Sequence, residues 1–338
     1  MATSIDILNN VRANASGEYQ ERIPEATQTN ISQIGNALQT YTLLYNEFCN
    51  ALLNKIGKTI IEQKLFKNKL ARFKSGTVMN QQDVEEIFVV MAKAEGAYDP
   101  AGANPLGRRN PPDVHAIYHR MNRQDKYVVS IGDLDFMRVF RSESTLSEWM
   151  KGLINSVYSG AELDEWLAMK NLIGSYKGYA GCDVLELDGD PSTVKELVKG
   201  IKKLANDLTF PTTSYNSAGV RTWSNPGDMV LLINKDVHAE IETELYATVF
   251  NQEHVKIPFE TVIMDDMGAD TITDAGGKKH IPYAILVDKE WFRVYDTLSH
   301  MEPQRNADGL FTNYFYHVHQ ILSASTFKNA VLIGPVQA

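Results

Sequence analysis

The sequence contains little cysteine and no long hydrophobic run. Its 338 residues include two cysteines, Cys49 and Cys182, and their separation matches no metal-ligand spacing. We expect both to be buried free thiols in a reducing compartment. No stretch approaches the ~20 apolar residues of a membrane span, and no secretory hydrophobic segment starts the chain. The sequence therefore predicts a protein that is soluble when made and has no membrane partner.

The sequence also has fewer basic residues than acidic ones. Lysine and arginine total 33 against 42 aspartate and glutamate residues, which gives a net charge of −9. An acidic balance argues against tight phosphate binding over the whole surface, although it allows local basic patches. The hydrophobic fraction of 43% is ordinary for a globular protein, and the length predicts two domains or one domain with a large insertion.

The short motifs of common enzyme classes are missing, including GxSxG, HExxH and the P-loop. His115 and His119 have a helical metal-ligand spacing, but the surrounding alternation favours a strand, where the two rings would lie far apart. His317 and His319 share one face of a predicted strand. Since no third ligand follows nearby, we interpret them as a packed or subunit-facing pair.

Two acidic groups are the other candidates for chemistry. Asp265 and Asp266 follow a predicted strand, a usual place for Mg²⁺ ligands, but no phosphate loop accompanies them. We therefore expect a solvated turn. Glu162, Asp164 and Glu165 do not share one helix face, so we expect them on a solvated surface. The sequence predicts no catalytic residue, no metal site and no cofactor.

The N-terminal region changes character at residue 31. Residues 1–30 are polar and broken by Gly17 and Pro24, and they are interpreted as an extended or loosely ordered arm. After them an apolar stripe with steps of four and three residues predicts a helix. Such a stripe fits a short coiled coil or a helix docked on its own domain or a neighbour, and we favour docking. Its members are Ile34, Leu38, Tyr41, Tyr45, Phe48 and Leu52.

A basic segment follows at residues 64–76, with aromatic and leucine residues between its cations. Its cations are Lys64, Lys67, Lys69, Arg72 and Lys74. This interleaving is typical of some nucleic-acid-binding surfaces. Lysine also protects exposed strand edges. We favour a solvated edge or a subunit contact over nucleic-acid binding.

Residues 77–135 predict two extended arms joined by a tip rich in glycine and proline. The tip includes Gly102 and Gly107, followed by Arg108 and Arg109, and it cannot form a regular helix or a central strand. Long loops inside domains usually have a function, and an isolated hairpin is marginally stable. The natural partner for such a protruding hairpin is another subunit.

Residues 141–177 have the longest helical pattern in the chain. Thr145 and Glu148 match a capping box at its start, and Gly160 interrupts it. The apolar positions recur at steps of three and four residues. They include Leu146, Trp149, Leu153, Val157, Leu163 and Trp166.

Residues 190–265 alternate helix, strand, helix and strand, which predicts a compact α/β insertion. Asp190 and Pro191 form a favoured helix start, and Asp236 is expected to cap the second helix. Residues 182–189 are interpreted as a linker and residues 265–282 as a flexible loop. The remaining segment predicts at least three strands. Its first two runs, Ala284 to Val287 and Trp291 to Tyr295, are interpreted as a hairpin.

Three consecutive blocks in this last segment carry a family resemblance. AILVDKEWFRVYDTL, MEPQRNADGL and NYFYHVHQILSASTFKNAV resemble, in order and spacing, the major head proteins of short-tailed phages of the phi-twenty-nine group, which infect Bacillus. PDVHAIYHRMNRQ resembles the family's extended loop, which lies across a neighbouring subunit. SVYSGAELDEW resembles its spine helix.

The resemblance implies an α+β protein with the capsid fold shared by tailed phages and herpesviruses. It implies four parts: an N-terminal arm and helix at 1–63, an extended loop at 64–135, a peripheral domain at 136–189 and 283–338, and an axial domain at 190–282. Because the sequence ends at Ala338, we expect it to lack the extra C-terminal domain of some relatives.

The implied function is a major capsid protein that assembles into pentamers and hexamers around double-stranded DNA. The implied partners are other copies, a scaffolding protein, the portal and weakly bound DNA. The implied location is the virion capsid, after assembly in the host cytoplasm. The alternatives from the residues alone are a soluble enzyme with an α/β pocket at 190–265 and a nucleic-acid-binding module at 64–74.

Overall fold

The fold was derived from a computed structural model of the chain. It describes residues 4–40, 44, 47–48, 66–78, 82–93, 111–132, 143–188, 190–248 and 260–337. The helices are α1 (Ser4–Asn14), α2 (Gly17–Arg22), α3 (Ile31–Thr40), α4 (Glu143–Ser175), α5 (Pro191–Asp207) and α6 (Lys235–Thr248). Among the helices described, none has both the length and the apolar character needed to cross a bilayer.

The strands include both long and very short segments. Together with the helices they make an α+β fold. In chain order the strands are β1 (Gly76–Thr77), β2 (Val84–Val89), β3 (Val114–His119), β4 (Arg123–Gly132), β5 (Ala180–Cys182), β6 (Met229–Asn234), β7 (Glu260–Met264), β8 (Ile272–Thr273), β9 (Lys279–His280), β10 (Ala284–Asp288), β11 (Phe292–Asn306), β12 (Phe311–Ala324) and β13 (Ala330–Ile333). A four-stranded sheet has the order β1-β11-β12-β4, and a five-stranded sheet has the order β5-β13-β10-β6-β7.

The chain divides into two compact units, each assembled from three stretches. The first unit comprises Met1–Asn68, Arg123–Trp166 and Leu298–His319. The second unit comprises Lys69–Asn122, Leu167–Thr297 and Gln320–Ala338.

The N-terminal helices have a hydrophobic core of their own within the first unit. Leu8 and Val11 of α1, Tyr19 of α2, and Ile34 and Leu38 of α3 are all less than 5% exposed and belong to one cluster. The Ser16 hydroxyl accepts a hydrogen bond from the Tyr19 amide and so caps α2. The expectation of a loosely ordered arm is therefore wrong, because its scattered apolar residues meet across three short helices.

The docked interpretation of the stripe that starts at residue 34 is confirmed for its described members. Ile34, Leu38 and Phe48 are no more than 1% exposed and lie in this same cluster. Tyr41, Tyr45 and Leu52 lie outside the described residues.

The rest of the first unit packs helix α4 against strand β12. Val157 and Ala161 form a cluster with Tyr316 and Val318, and the rings of Tyr158 and Tyr316 lie 4.7 Å apart. β4 lies beside β12 at one edge of the four-stranded sheet. Aromatic packing therefore holds the long helix to this sheet.

The second unit is built around a sheet whose central strands are buried on both faces. All five residues of β10 are buried, as are the first five of β6, so both read as continuous apolar runs. β10 pairs antiparallel with β6 and with β13, whereas β7 and β5 pair parallel at the two edges. Helices α5 and α6 pack on one face. The boundary that the resemblance implies at residue 283, between the axial and peripheral domains, would divide this hydrogen-bonded sheet.

The hairpin expected from Ala284 to Tyr295 is wrong. β10 and β11 belong to different sheets, and a 3-10 turn at Lys289–Trp291 leads the chain from one to the other. The Trp291 side chain is fully buried against Tyr176, Tyr179 and Phe292, with ring centroids 4.9–5.8 Å apart. The polar turn is thus anchored by an aromatic core instead of reversing the chain.

The structure also differs from three smaller expectations. Asn234, and not Asp236, accepts the amide hydrogen bond at the start of α6. Residues 182–189 begin with the end of β5, so that stretch is not purely a linker. Residues 265–282 contain the small hairpin β8–β9, in which His280 is buried and lies 3.1 Å from a carboxylate oxygen of Asp274. By contrast, Asp190 caps α5 as predicted, by accepting from the Ser192 amide.

Candidate assembly surfaces

The antiparallel ribbon formed by β2 and β3 exposes one complete face. Its register runs from Val84 opposite His119 to Val89 opposite Val114. Directly paired residues share a face, and faces alternate along each strand. The outer face of the ribbon, as we name it, consists of Glu85, Ile87, Val89, Val114, Ala116 and Tyr118.

This outer face is largely apolar. All of its residues are exposed, and the large apolar ones are exposed to between 46% and 59%. The only charged member, Glu85, accepts a 2.8 Å hydrogen bond from the Tyr118 hydroxyl. Contiguous apolar surface of this kind marks an interaction site more often than scattered exposed residues do.

The inner face of the ribbon is fixed at its base by Glu86. Its carboxylate accepts hydrogen bonds from Arg293 at 2.6 Å and from the Ser325 hydroxyl at 2.9 Å, and it lies 3.0 Å from Nε2 of His119. Burial alone would raise the pKa of Glu86, but the His119 and Arg293 interactions outweigh it and lower that pKa to about 2. We name these four residues the Glu86 cluster.

The predicted pairing of two extended arms is confirmed for the described residues. The ribbon has one further inner contact, between the rings of Phe88 and Phe327 at 5.5 Å. The second arm ends at His119, because β4 joins the four-stranded sheet instead. The tip residues Gly102, Gly107, Arg108 and Arg109 lie outside the described residues.

His115 and His119, whose spacing would also fit a metal pair on a helix, lie on one strand, as the alternation indicated. His119 lies between Glu86 and the Ser323 hydroxyl, which is 2.7 Å from its Nδ1, whereas His115 lies 3.6 Å from Asp113. His317 and His319 are both half-buried on β12, with ring centroids 6.5 Å apart. Within the described ranges, no group of three or more His, Cys, Asp or Glu residues is placed to hold a metal ion.

From Lys69 onward, the basic segment forms a strap along the second unit. Arg72 bridges to Glu260 at 2.8 Å, Lys74 to Asp296 at 2.7 Å, and Lys69 lies 3.4 Å from the Ile263 carbonyl. Strand β1 extends the strap by pairing parallel with β11. Lys67 is exposed, and Lys64 lies outside the described residues. Because three of its cations already have acceptors in the chain, the strap gives no support to the nucleic-acid-binding alternative.

A cleft of about 550 Å³ lies between this strap and the start of β11. Its wall contains Arg72, Lys74, Lys289 and Arg293 together with Glu260 and Glu290. Each of the four cations has a carboxylate partner within 3.1 Å. Glu260 serves both Arg72 and Lys289, so these four cations share three carboxylates, those of Glu260, Asp296 and Glu86. Of the residues that line the cleft, Glu260 alone lies within 190–265, so the cleft is not the α/β pocket of the enzyme alternative.

Helix α4 uses its acidic residues as internal contacts. Glu165 is buried and accepts a 2.9 Å hydrogen bond from the Asn68 side chain, and Glu162 accepts one of 3.1 Å from the Asn68 amide. Asp164 accepts from the Tyr127 hydroxyl at 2.7 Å. The expectation of a solvated surface is wrong for the buried Glu165, whereas Glu162 is half-buried and Asp164 is exposed as predicted. The chain around residue 68 and β4 pack on this helix.

Within the second unit, α4 also binds the turn after β7. The buried Lys170 ammonium donates to Asp265 at 2.8 Å and to Asp266 at 2.5 Å. Burial opposes its charge, but the two carboxylates outweigh that effect and raise the pKa of Lys170. Gly268 has φ of 77°, and a Cβ there would lie 2.1 Å from the Lys170 carbonyl oxygen, so only glycine fits. The turn is solvated as predicted, but its lysine partner was not predicted.

The spine-helix residues are only partly described. α4 is continuous through Gly160, and Trp166 is buried at 6% exposure. Leu146, Trp149 and Leu153 lie on the helical backbone, but their side chains lie outside the described part of the chain. Thr145 falls inside the helix, which already includes Glu143, so it is not the capping residue.

The fold places the chain in a structural class. It resembles the capsid structure of Staphylococcus phage Andhra with a TM-score of 0.63 and 13% identity, covering 82% of this chain and 86% of that one. For the capsid structure of the cyanophage P-SCSP1u, the TM-score is 0.54 and the identity 10%, covering 82% and 91%. The chain thus has the fold of tailed-phage capsid proteins.

Sequence comparison then assigns the family. The model of the Phi29-like phage major capsid protein family matches residues 8–334. The chain is 34% identical to the major capsid protein of Bacillus phage B103 over 334 residues, covering 97% of this chain and 72% of the relative. For the major capsid protein of Streptococcus phage Cp-1 the identity is 30% over 345 residues, covering 97% and 93%.

The chain therefore belongs to the Phi29-like phage major capsid protein family. The resemblance found in the sequence blocks is confirmed, and so is the capsid fold. A member of this family is a structural coat protein and not an enzyme, and its place is the virion capsid.

Proposed function

We propose that this protein assembles into pentamers and hexamers that close into a head shell around a double-stranded DNA genome. The observation that carries the proposal is the exposed outer face of the ribbon. A two-stranded ribbon is marginally stable alone, and this one keeps four large apolar side chains in solvent. A second copy that covers this face removes that surface from water.

The ribbon's attachment supports the same proposal. The Glu86 cluster and the Phe88 contact with Phe327 fix the inner face of the ribbon at its base. A fixed base lets the ribbon present its outer face in one direction, which a repeated contact between identical copies requires. The proposal also assigns subunit contacts to the tip that joins the two arms, at Gly102, Gly107, Arg108 and Arg109.

For the packaged DNA we propose weak, non-specific contact at the inner face of the shell. The net charge of −9 and the ion-paired cations of the strap favour this over tight binding. Filter binding across a salt series tests it. We expect weak binding that disappears as salt rises, and tight binding at physiological salt would contradict it.

The remaining partners in the proposal are a scaffolding protein and the portal, and assembly takes place in the host cytoplasm. Electron microscopy of the purified protein, alone and co-expressed with candidate scaffolding proteins, tests the assembly directly. We expect shells or rings of five and six copies. A protein that stays a monomer or a small defined oligomer under every condition would contradict the proposal.

A further inference from the structure

Helices α5 and α6 lie beside each other on one face of the five-stranded sheet, and they carry opposite charge. α5 contains four lysines and two acids, whereas α6 contains four acids and one lysine. Their buried sides are equivalent, because apolar residues from both helices belong to the same core cluster. The difference in charge therefore lies on their solvent-facing sides.

The lysines of α5 form a stripe. Lys195, Lys199 and Lys203 follow one another at intervals of four residues, and all three are exposed. Side chains four apart are neighbours on a helix, so like charges at that spacing repel and weaken the isolated helix. The stripe lies opposite the buried side of the helix, which includes Leu197 and Ile201. We name it the basic stripe.

The acids of α6 show the corresponding arrangement. Asp236 and Glu240 are exposed and also four residues apart. Glu242 lies on a different side of the helix, 3.8 Å from His238. We name Asp236 and Glu240 the acidic pair.

On α5, Glu196 lies three residues from Lys199 and Asp207 four residues from Lys203, so the lysine repulsion is partly offset there. The net excess is still basic on α5 and acidic on α6, and contact between the two surfaces would pair opposite charges.

We infer that the basic stripe of one copy binds the acidic pair of the next copy around a capsomer. Two different surfaces on one chain make a head-to-tail contact, and such contacts generate closed rings when the rotation closes. The occupant is a second copy of this chain, because the chain carries both complementary patches and belongs to a family of capsid proteins. This inference rests on the proposed function, since it assigns a surface to the capsomer ring.

Two charge-reversed proteins test the contact. The first carries Lys195→Glu, Lys199→Glu and Lys203→Glu, and the second carries Asp236→Lys and Glu240→Lys. We expect the assembled fraction of each protein alone to fall at least tenfold at physiological salt, because every ring contact then pairs like charges. A single chain with all five substitutions restores opposite charges and is expected to assemble like the wild type.

Mixing the two reversed proteins gives a sharper result. In an alternating ring every contact again joins opposite charges, but alternation is complete only in rings with an even number of copies. We expect mixtures to form six-membered rings and to fail at five-membered ones, so closed shells should not appear. Native mass spectrometry of the rings, together with electron microscopy, measures both.

The matched control reverses three exposed lysines elsewhere in the second unit, with Lys177→Glu, Lys278→Glu and Lys279→Glu. It changes the net charge as much as the first variant and is expected to assemble normally. Circular dichroism melts of every variant establish that each one folds.

Two results would overturn the inference: normal assembly of the stripe variant, or no rescue in the folded five-substitution chain. If the wild type forms no shell, the proposed function fails. In that event, sedimentation of the two reversed proteins still tests the contact. Association in the mixture, with neither protein associating alone, supports the contact between stripe and acidic pair. If the mixture does not associate, the inference is overturned.

Discussion

The ribbon and the central strands of the five-stranded sheet use similar residues in opposite environments. β10, with the sequence AILVD, has every residue buried, and β6 has one half-buried residue at its end. β2, with the sequence VEEIFV, alternates half-buried and exposed positions, and its exposed ones include Ile87 and Val89. The central strands complete their burial inside the chain, whereas the ribbon is at most partly buried on its inner face and exposed on its outer face.

This difference separates two roles for hydrophobic surface in one protein. Burial in the central sheet stabilises the folded subunit, at roughly 25 cal/mol per Å² of apolar area. Apolar area on the outer face of the ribbon is exposed and contributes nothing comparable to the stability of the single subunit. Substitutions in the two regions should therefore act on different measurements, on subunit stability in the sheet and on assembly in the ribbon.

The largest effect on stability is expected at Trp291, where β10 leaves the central sheet. Trp291→Ala removes a fully buried ring that packs on Tyr176, Tyr179 and Phe292. We expect a loss of about 4 kcal/mol in the free energy of unfolding, which urea denaturation would measure. A loss below about 1 kcal/mol would contradict the anchoring role assigned to this residue.

A smaller loss is expected at the base of the ribbon. Glu86→Gln keeps the shape but removes the charge that binds Arg293 and His119, and we expect a cost of about 2 kcal/mol. The control is Glu85→Gln on the exposed outer face, which should cost less than about 0.5 kcal/mol. Hydrogen exchange of residues 84–89 and 114–119 should rise in the Glu86 variant only. Equal exchange in both variants would show that the cluster does not fix the ribbon.

The Glu86 cluster also predicts a dependence on pH. The pKa of Glu86 is about 2 in the folded protein against 4.5 for an ordinary glutamate, so its stabilising effect is complete above about pH 5. The effect is lost as pH falls through 2, where the carboxylate binds a proton in both states. The difference in unfolding free energy between the wild type and Glu86→Gln should therefore shrink steadily from pH 5 to pH 2. A difference that stays constant over this range would contradict the low pKa.

The smallest effect on stability is expected on the outer face of the ribbon. Ile87→Ser and Tyr118→Ser together should change the unfolding free energy of the unassembled subunit by less than about 1 kcal/mol, because both side chains are more than half exposed. The same protein should fail to assemble. Normal shells from this variant would remove the contrast between the two regions.

Periodic patterns in the sequence were sufficient for the long elements. The helix at 143–175, the cap at Asp190, strands β6 and β7, and the pairing of β2 with β3 follow from spacing and local turn chemistry. The expected hairpin after residue 284 was wrong, because a local pattern identifies a strand but not its partner. β10 pairs with strands that lie more than 40 residues away on either side.

The assembly surfaces show the same limit. The sequence predicted the ribbon and the basic segment, but the Glu86 cluster joins residues separated by more than 200 positions, and no local pattern reports such a meeting. Helices α1 and α2 were missed because their apolar residues are sparse and bury in a cluster that several helices share. Glu165 was expected to be solvated, and Lys170 was not singled out at all. The sequence shows no local sign of their contacts, because their partners lie about 100 residues away.

The most direct measurement is the accessibility of the outer face before and after assembly. A thiol introduced by Ile87→Cys, with labelling sites mapped by mass spectrometry to separate it from Cys49 and Cys182, reports whether another copy covers this face. We predict rapid maleimide labelling in unassembled subunits and at least tenfold slower labelling in shells. Equal labelling rates in subunits and shells would contradict the claim that the ribbon is completed by a neighbour.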